Sequence, residues 1–169
     1  MKHQLIGLVL ILVLGGCDRA TTTQPRINVS PIRGTVDEPL QITISGLTPH
    51  QTTIIQARTT DGQGYVWAST ASFDADAHGA LDLGKAAPKS GTYRDADAMG
   101  LFRSLAPRSP SSLGIFHPAK DSEPVELSVE VEGKVVTKQT VVRLWSDPSV
   151  VAHPEQLSDT GFLGVYEAP

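Results

Sequence analysis

The feature that most constrains this chain is a strict period of two near its C-terminal end. Val125-Glu126-Leu127-Ser128-Val129-Glu130-Val131 alternates apolar and polar residues, and Val135 to Leu144 answers it across Glu132-Gly133-Lys134. Successive side chains of a strand point to opposite faces, so this pattern predicts a half-buried hairpin. Leu40 to Ile44 and Thr53 to Arg58 repeat the alternation, and Tyr65 to Phe73 is rich in β-forming residues. Turn signals separate these runs at Gly46 to Pro49, Asp61 to Gly64, His78-Gly79 and Pro88 to Gly91. Short strands at a spacing of roughly ten residues predict an all-β antiparallel sandwich over residues 27–157. The only helical candidate is one short turn near 98–105, ended by Pro107.

Composition narrows the function classes. The chain has 169 residues, of which 40% are hydrophobic, and a net charge of -4. That apolar content and modest charge exclude a disordered acidic tail. An acidic balance without a Lys/Arg run argues against nucleic acid as a partner. The one cysteine excludes an intramolecular disulfide framework and every multi-cysteine zinc site.

That cysteine closes a distinctive N-terminus. Lys2 is followed by an apolar run from Leu5 to Leu14 and then by Gly15-Gly16-Cys17. The run is too short for a spanning helix, which needs about 20 apolar residues, and fits an export signal. Leu14-Gly15-Gly16-Cys17 resembles a bacterial lipoprotein box. Residues 1–16 would then be removed and Cys17 would carry the acyl chains that hold the protein to a membrane. The alternative is an ordinary export signal, or a buried anchor, with a chance cysteine. Asp18 resembles an inner-membrane retention signal, so the expected location is the bacterial cell envelope, lipid-anchored, with the inner membrane favoured. Residues 17–26 lack apolar periodicity and read as a tether.

Candidate chemistry within the body is sparse. Asp74-x-Asp76-x-His78-Gly79 begins like a calcium loop, but Lys85 falls where a bidentate Glu is required, so a hairpin turn is expected. Asp97 reads as a cap for the short helical turn rather than as half of a carboxylate pair with Asp95. The five histidines have no metal-ligand spacing. No metal, cofactor or catalytic residue is therefore assigned. Trp67 and Phe73 stand an even number of residues apart and share a face, as core residues would.

Ordered blocks from Glu38 to Pro107 carry a family resemblance. Asp37-Glu38-Pro39, Ser45-Gly46-Leu47-Thr48-Pro49, Trp67-Ala68-Ser69, Gly91-Thr92-Tyr93 and above all Met99-Gly100-Leu101-Phe102-Arg103-Ser104-Leu105 appear in sequence. They resemble the N-terminal domain of the acyl-CoA thioesterase / bile acid-CoA:amino acid N-acyltransferase family. The resemblance implies an immunoglobulin-like sandwich, followed in family members by an α/β-hydrolase domain that carries a Cys or Ser nucleophile with Asp and His. No Gly-x-Ser-x-Gly or Gly-x-Cys-x-Gly is present here, and residues 158–169 resemble the start of that second domain. The expectation is a non-catalytic unit, membrane-anchored and truncated before its catalytic domain, of a family acting on acyl-CoA-type thioesters. Met99, Leu101 and Phe102 would either plug one end of the sandwich or contact a hydrolase domain or an adjacent partner protein. The alternative is a stand-alone accessory or binding lipoprotein. Export strains the enzymatic reading, because acyl-CoA is a cytoplasmic metabolite.

Overall fold

A computed structural model describes residues 24–108, 114–158 and 161–167. The N-terminal signal, Cys17 and Asp18 lie outside the described residues. Twelve strands and one helical turn are present among them: β1 Arg26–Ser30, β2 Arg33–Thr35, β3 Gln41–Ser45, β4 Thr52–Thr60, β5 Val66–Asp74, β6 Leu81–Asp82, β7 Ser90–Gly91, α1 Gly100–Arg103, β8 Ala106–Pro107, β9 Ser122–Val131, β10 Lys134–Leu144, β11 Val151–Ser158 and β12 Gly161–Glu167.

The strands form a β-sandwich. One sheet has the order β1-β3-β6; the other runs β2-β10-β9-β4-β5-β7, with β8 added to β5. Alternation does the work the sequence assigned to it. Ile42 and Ile44 of β3 point inward, and they meet Ile55 and Ala57 of β4, Ala71 and Phe73 of β5, and Leu127 and Val129 of β9. Phe73 is 1% exposed; a fully buried side chain of that size contributes about 2–3 kcal/mol. β11 and β12 pair antiparallel with each other and make a two-stranded sheet of their own.

The predicted hairpin is β9–β10. Its two-residue loop places Glu132 at φ 51° and Gly133 at φ 77°, the positive values a primed turn needs to follow the twist of its strands. The pairing is not regular: the register shifts between Val135 and Thr137, which is a β-bulge. One departure from a purely antiparallel sandwich appears. β2 runs parallel to the end of β10, pairing Arg33 with Val142 and Thr35 with Leu144. Pro31 and Ile32 carry the chain there from β1, which lies in the opposite sheet.

The helical turn is four residues long, shorter than the 98–105 span expected. Asp97 organises its start: its Oδ1 accepts from the Met99 N–H at 2.8 Å and its Oδ2 from Arg103 at 2.7 Å. Ser69 of β5 ties the turn to the core by donating to the Leu101 carbonyl at 2.6 Å.

Candidate functional site

The inward-facing row of the large sheet changes character toward one end. Around Phe73 it is apolar. Beyond it, Trp67 lies opposite Thr59 across β5 and β4, and Glu123 lies opposite Arg143 across β9 and β10. Here the sandwich does not close on itself but opens into a cavity of about 500 Å3.

Aromatic and aliphatic side chains make its walls. Trp67 meets Phe116 edge-on with ring centroids 5.2 Å apart, and Phe116 meets Trp145 at 5.8 Å. Met99, Phe102 and Leu105 wall it from the helical turn. Such aromatic contacts prefer offset or edge-on geometry, and these hold the cavity open between β5, the turn and the loop before β9.

Four charged side chains reach the same space: Asp37, Arg103, Glu123 and Arg143. Arg103 is paired with Asp97. Glu123 and Arg143 are each 3% exposed. They are cross-strand neighbours, yet each turns to another partner. The Thr59 hydroxyl reaches the Glu123 carboxylate, and the Ala119 N–H approaches that carboxylate's other oxygen at 3.4 Å. Arg143 donates through Nη2 to the Glu38 carbonyl at 2.6 Å, while its Nη1 is buried without an acceptor. Its guanidinium carbon lies 5.9 Å from the centre of the Phe102 ring, a cation–π distance. Burial pulls the Arg143 pKa down, against the opposing pull of Glu38 and Asp37.

Asp61 braces the floor. The residue is 4% exposed, and its carboxylate accepts from the N–H groups of Gln63 at 3.0 Å, Tyr65 at 2.9 Å and, at the longer 3.5 Å, His117. It also accepts from the Trp67 indole at 3.1 Å. Desolvation alone would raise its pKa; the hydrogen bonds from Tyr65, Trp67, Gln63 and His117 outweigh it, and the net shift is downward. Asp61 thereby fixes Trp67 and ties it to the 117 loop beside Phe116.

The residues singled out in the sequence fall as follows. Leu101 is fully buried and Met99 is 8% exposed, so both pack into the sandwich end as a plug does. Phe102 is half-buried and lines the cavity; of the three, it has the most surface to offer a partner. Asp76 accepts from the His78 and Ala80 N–H groups at 2.8 and 2.9 Å, a turn bond, and Asp74 takes Lys89 and Thr52 instead. Among the described residues no group of three or more His, Cys, Asp or Glu side chains is placed to hold a metal. Sequence reasoning did not single out Glu123, Arg143, Phe116 or Trp145.

Residues 37–156 match the family described as the acyl-CoA thioester hydrolase/BAAT N-terminal region. The chain belongs to this family. Among relatives, rat acyl-coenzyme A thioesterase 1 is 39% identical over 74 residues, covering 44% of this chain and 18% of that protein. Rat mitochondrial acyl-coenzyme A thioesterase 2 is 34% identical over 100 residues, 59% of this chain and 22% of that one. Human bile acid-CoA:amino acid N-acyltransferase is 37% identical over 82 residues, 48% and 20%. The chain thus spans about a fifth of the length of the curated relatives it matches, and the family's match is to its N-terminal region.

Proposed function

We propose that this chain is the non-catalytic N-terminal sandwich of a family system acting on acyl-CoA-type thioesters by hydrolysis or acyl transfer, held at a membrane through lipidated Cys17. The observation that carries the reading is the match of residues 37–156 to the N-terminal region of a family whose relatives are named for acyl-CoA and bile acid-CoA chemistry. The interior agrees with a scaffold role. The Ser69 hydroxyl donates to the Leu101 carbonyl and the Thr53 hydroxyl to the Glu130 carbonyl; Thr59 lies between the Glu123 carboxylate and the Pro124 carbonyl. These buried hydroxyls hold backbone and side chains in place, and none is paired with a histidine that could take its proton. Bond breaking then falls to an α/β-hydrolase unit supplied by a longer chain or a partner.

Incubating the purified chain with palmitoyl-CoA and a thiol reagent tests the assignment. The chain alone should release no CoA above buffer, and release should appear when a family hydrolase domain is added. Turnover by the chain alone that is lost on replacing a residue between 27 and 167 overturns it. The anchor is tested separately: Cys17→Ser should move the protein from the membrane pellet to the soluble fraction, and an unchanged distribution refutes lipidation there. The accessory-lipoprotein reading is favoured by one observation, the cavity within the sandwich itself.

A further inference from the structure

We propose that the cavity between β5, the helical turn and the end of the β9–β10 hairpin binds a neutral amphiphile: an apolar chain or ring bearing one uncharged ester or amide carbonyl, whose oxygen accepts from Arg143. This does not depend on the thioester reading above.

Three observations converge. The volume of about 500 Å3 is within the usual range for small-molecule sites, and apolar walls with a few convergent polar groups are the usual make-up of such sites. Next, Arg143 is almost wholly buried yet one of its terminal nitrogens has no acceptor. A buried donor left unpaired is costly, so an acceptor brought into the cavity has a specific group to satisfy. Finally, the charges select against ions. Arg103 is already held by Asp97, which leaves Arg143 facing Asp37 and Glu123 in the cavity lining. An anion drawn to Arg143 meets Glu123 directly across the strand pair, and a cation drawn to Glu123 meets Arg143. A neutral carbonyl gains the hydrogen bond without either repulsion.

Phe102 sets the way in. Its ring lies over the guanidinium, and Nη1 is closed to solvent, so the ring must swing aside for the acceptor to reach it. Phe102 is half-buried and lines the cavity, so part of its side chain borders the open space.

The chain supplies its own reporter. It contains two tryptophans, Trp67 and Trp145, and both line the cavity. Titrating the full chain with decanamide and, separately, with decanoate below its micelle range at neutral pH compares two ligands of equal chain length. Decanamide should give a saturable change in tryptophan emission, with a Kd at least tenfold lower than decanoate. Arg143→Met should weaken decanamide about tenfold. If that variant does not fold, the amide-against-carboxylate comparison on the unaltered chain decides. Equal or tighter binding of decanoate overturns the proposal, as does unchanged decanamide binding in a folded Arg143→Met. A cavity reserved for a partner protein's side chains would give no saturable response to either probe, and that result overturns it too.

Discussion

Gly100→Ala sets two physical effects against each other, and the structure decides between them. Gly100 opens the helical turn. Helix propensity alone predicts that alanine there stabilises the turn by up to about 1 kcal/mol. But a Cβ built on Gly100 would stand 2.2, 2.4 and 2.6 Å from three ring atoms of Tyr93, about 1 Å inside ordinary van der Waals contact. The ring cannot retreat cheaply. It packs at 6.5 Å centroid distance against Phe73, itself buried in the core, and its hydroxyl is also buried. Overpacking of this kind costs about 1–3 kcal/mol and often more where the neighbour is pinned. Packing should therefore win by about 2 kcal/mol net, lowering Tm by about 6–10 °C for a domain of this size. Thermal and urea unfolding followed by circular dichroism measure it. The cause is isolated by repeating the change in a Tyr93→Ala background, where the added methyl meets no ring and should stabilise the turn by up to about 1 kcal/mol. A Gly100→Ala protein as stable as its parent, or one whose loss persists without Tyr93, refutes the reasoning.

Other outcomes follow from single groups. Tyr93→Phe removes a buried hydroxyl that has no partner, so it should leave stability unchanged or raise it by about 1 kcal/mol; a clear loss in urea unfolding would mean the hydroxyl is bonded. Burial pushes the Tyr93 pKa up to about 12, with Asp97 adding to it. Because the folded pKa lies above the unfolded value of 10.0, stability is full below pH 10 and falls as pH rises toward the folded value; phenolate absorbance should show a late titration step, and Tyr93→Phe should abolish it. Asp61 has the opposite sign: its pKa is below 3.8 in the fold, so its contribution is present above the unfolded value and lost as pH drops through the folded one. Asp61→Asn should therefore flatten the decline in Tm below pH 4, and an unaltered acid limb would show that its hydrogen bonds do not favour the carboxylate. Ser69→Ala leaves the Leu101 carbonyl without its donor and should cost about 1–2 kcal/mol, read from the urea midpoint.

The sandwich was legible because its longer strands carry their own evidence. β4, β5, β9 and β10 each bury one face, and alternation marks which residues go in. The Gly100–Tyr93 contact also joins two blocks of the sequence pattern: Met99 to Leu105 and Gly91-Thr92-Tyr93 are two sides of one close approach. What could not be read are the strands made by tertiary pairing. β2 is three residues long with a glycine at its centre, and it is a strand only because Val142 to Leu144 offer an edge. β6, β7 and β8 are two residues each, too short for any period to show.

The cavity stayed hidden for a different reason: its polar groups look ordinary in a one-dimensional pattern. Glu123 shares parity with Val125, Leu127 and Val129, and Arg143 shares parity with Val141, so the alternation does place both charges on the inward face. That was an available signal, since an inward charge in a strand end is expensive unless it is bonded. Their juxtaposition was not available. A hairpin continued without irregularity from Val131 opposite Lys134 would set Glu123 against Val142. The bulge near Val136 shifts the pairing by one residue and brings Arg143 opposite Glu123 instead. One inserted residue some 25 Å along the strand, at about 3.4 Å per residue, thus decides which two charges face each other at the far end. Deleting Val136 removes the extra residue and leaves every pair from Thr137 opposite Val129 to Arg143 opposite Glu123 in place, so the tryptophan response to the ligand should survive that deletion. Deleting Thr140 instead should slip the far end of β10 by one residue, turn its inward charges outward and abolish the response; a response lost in the first variant refutes the register argument.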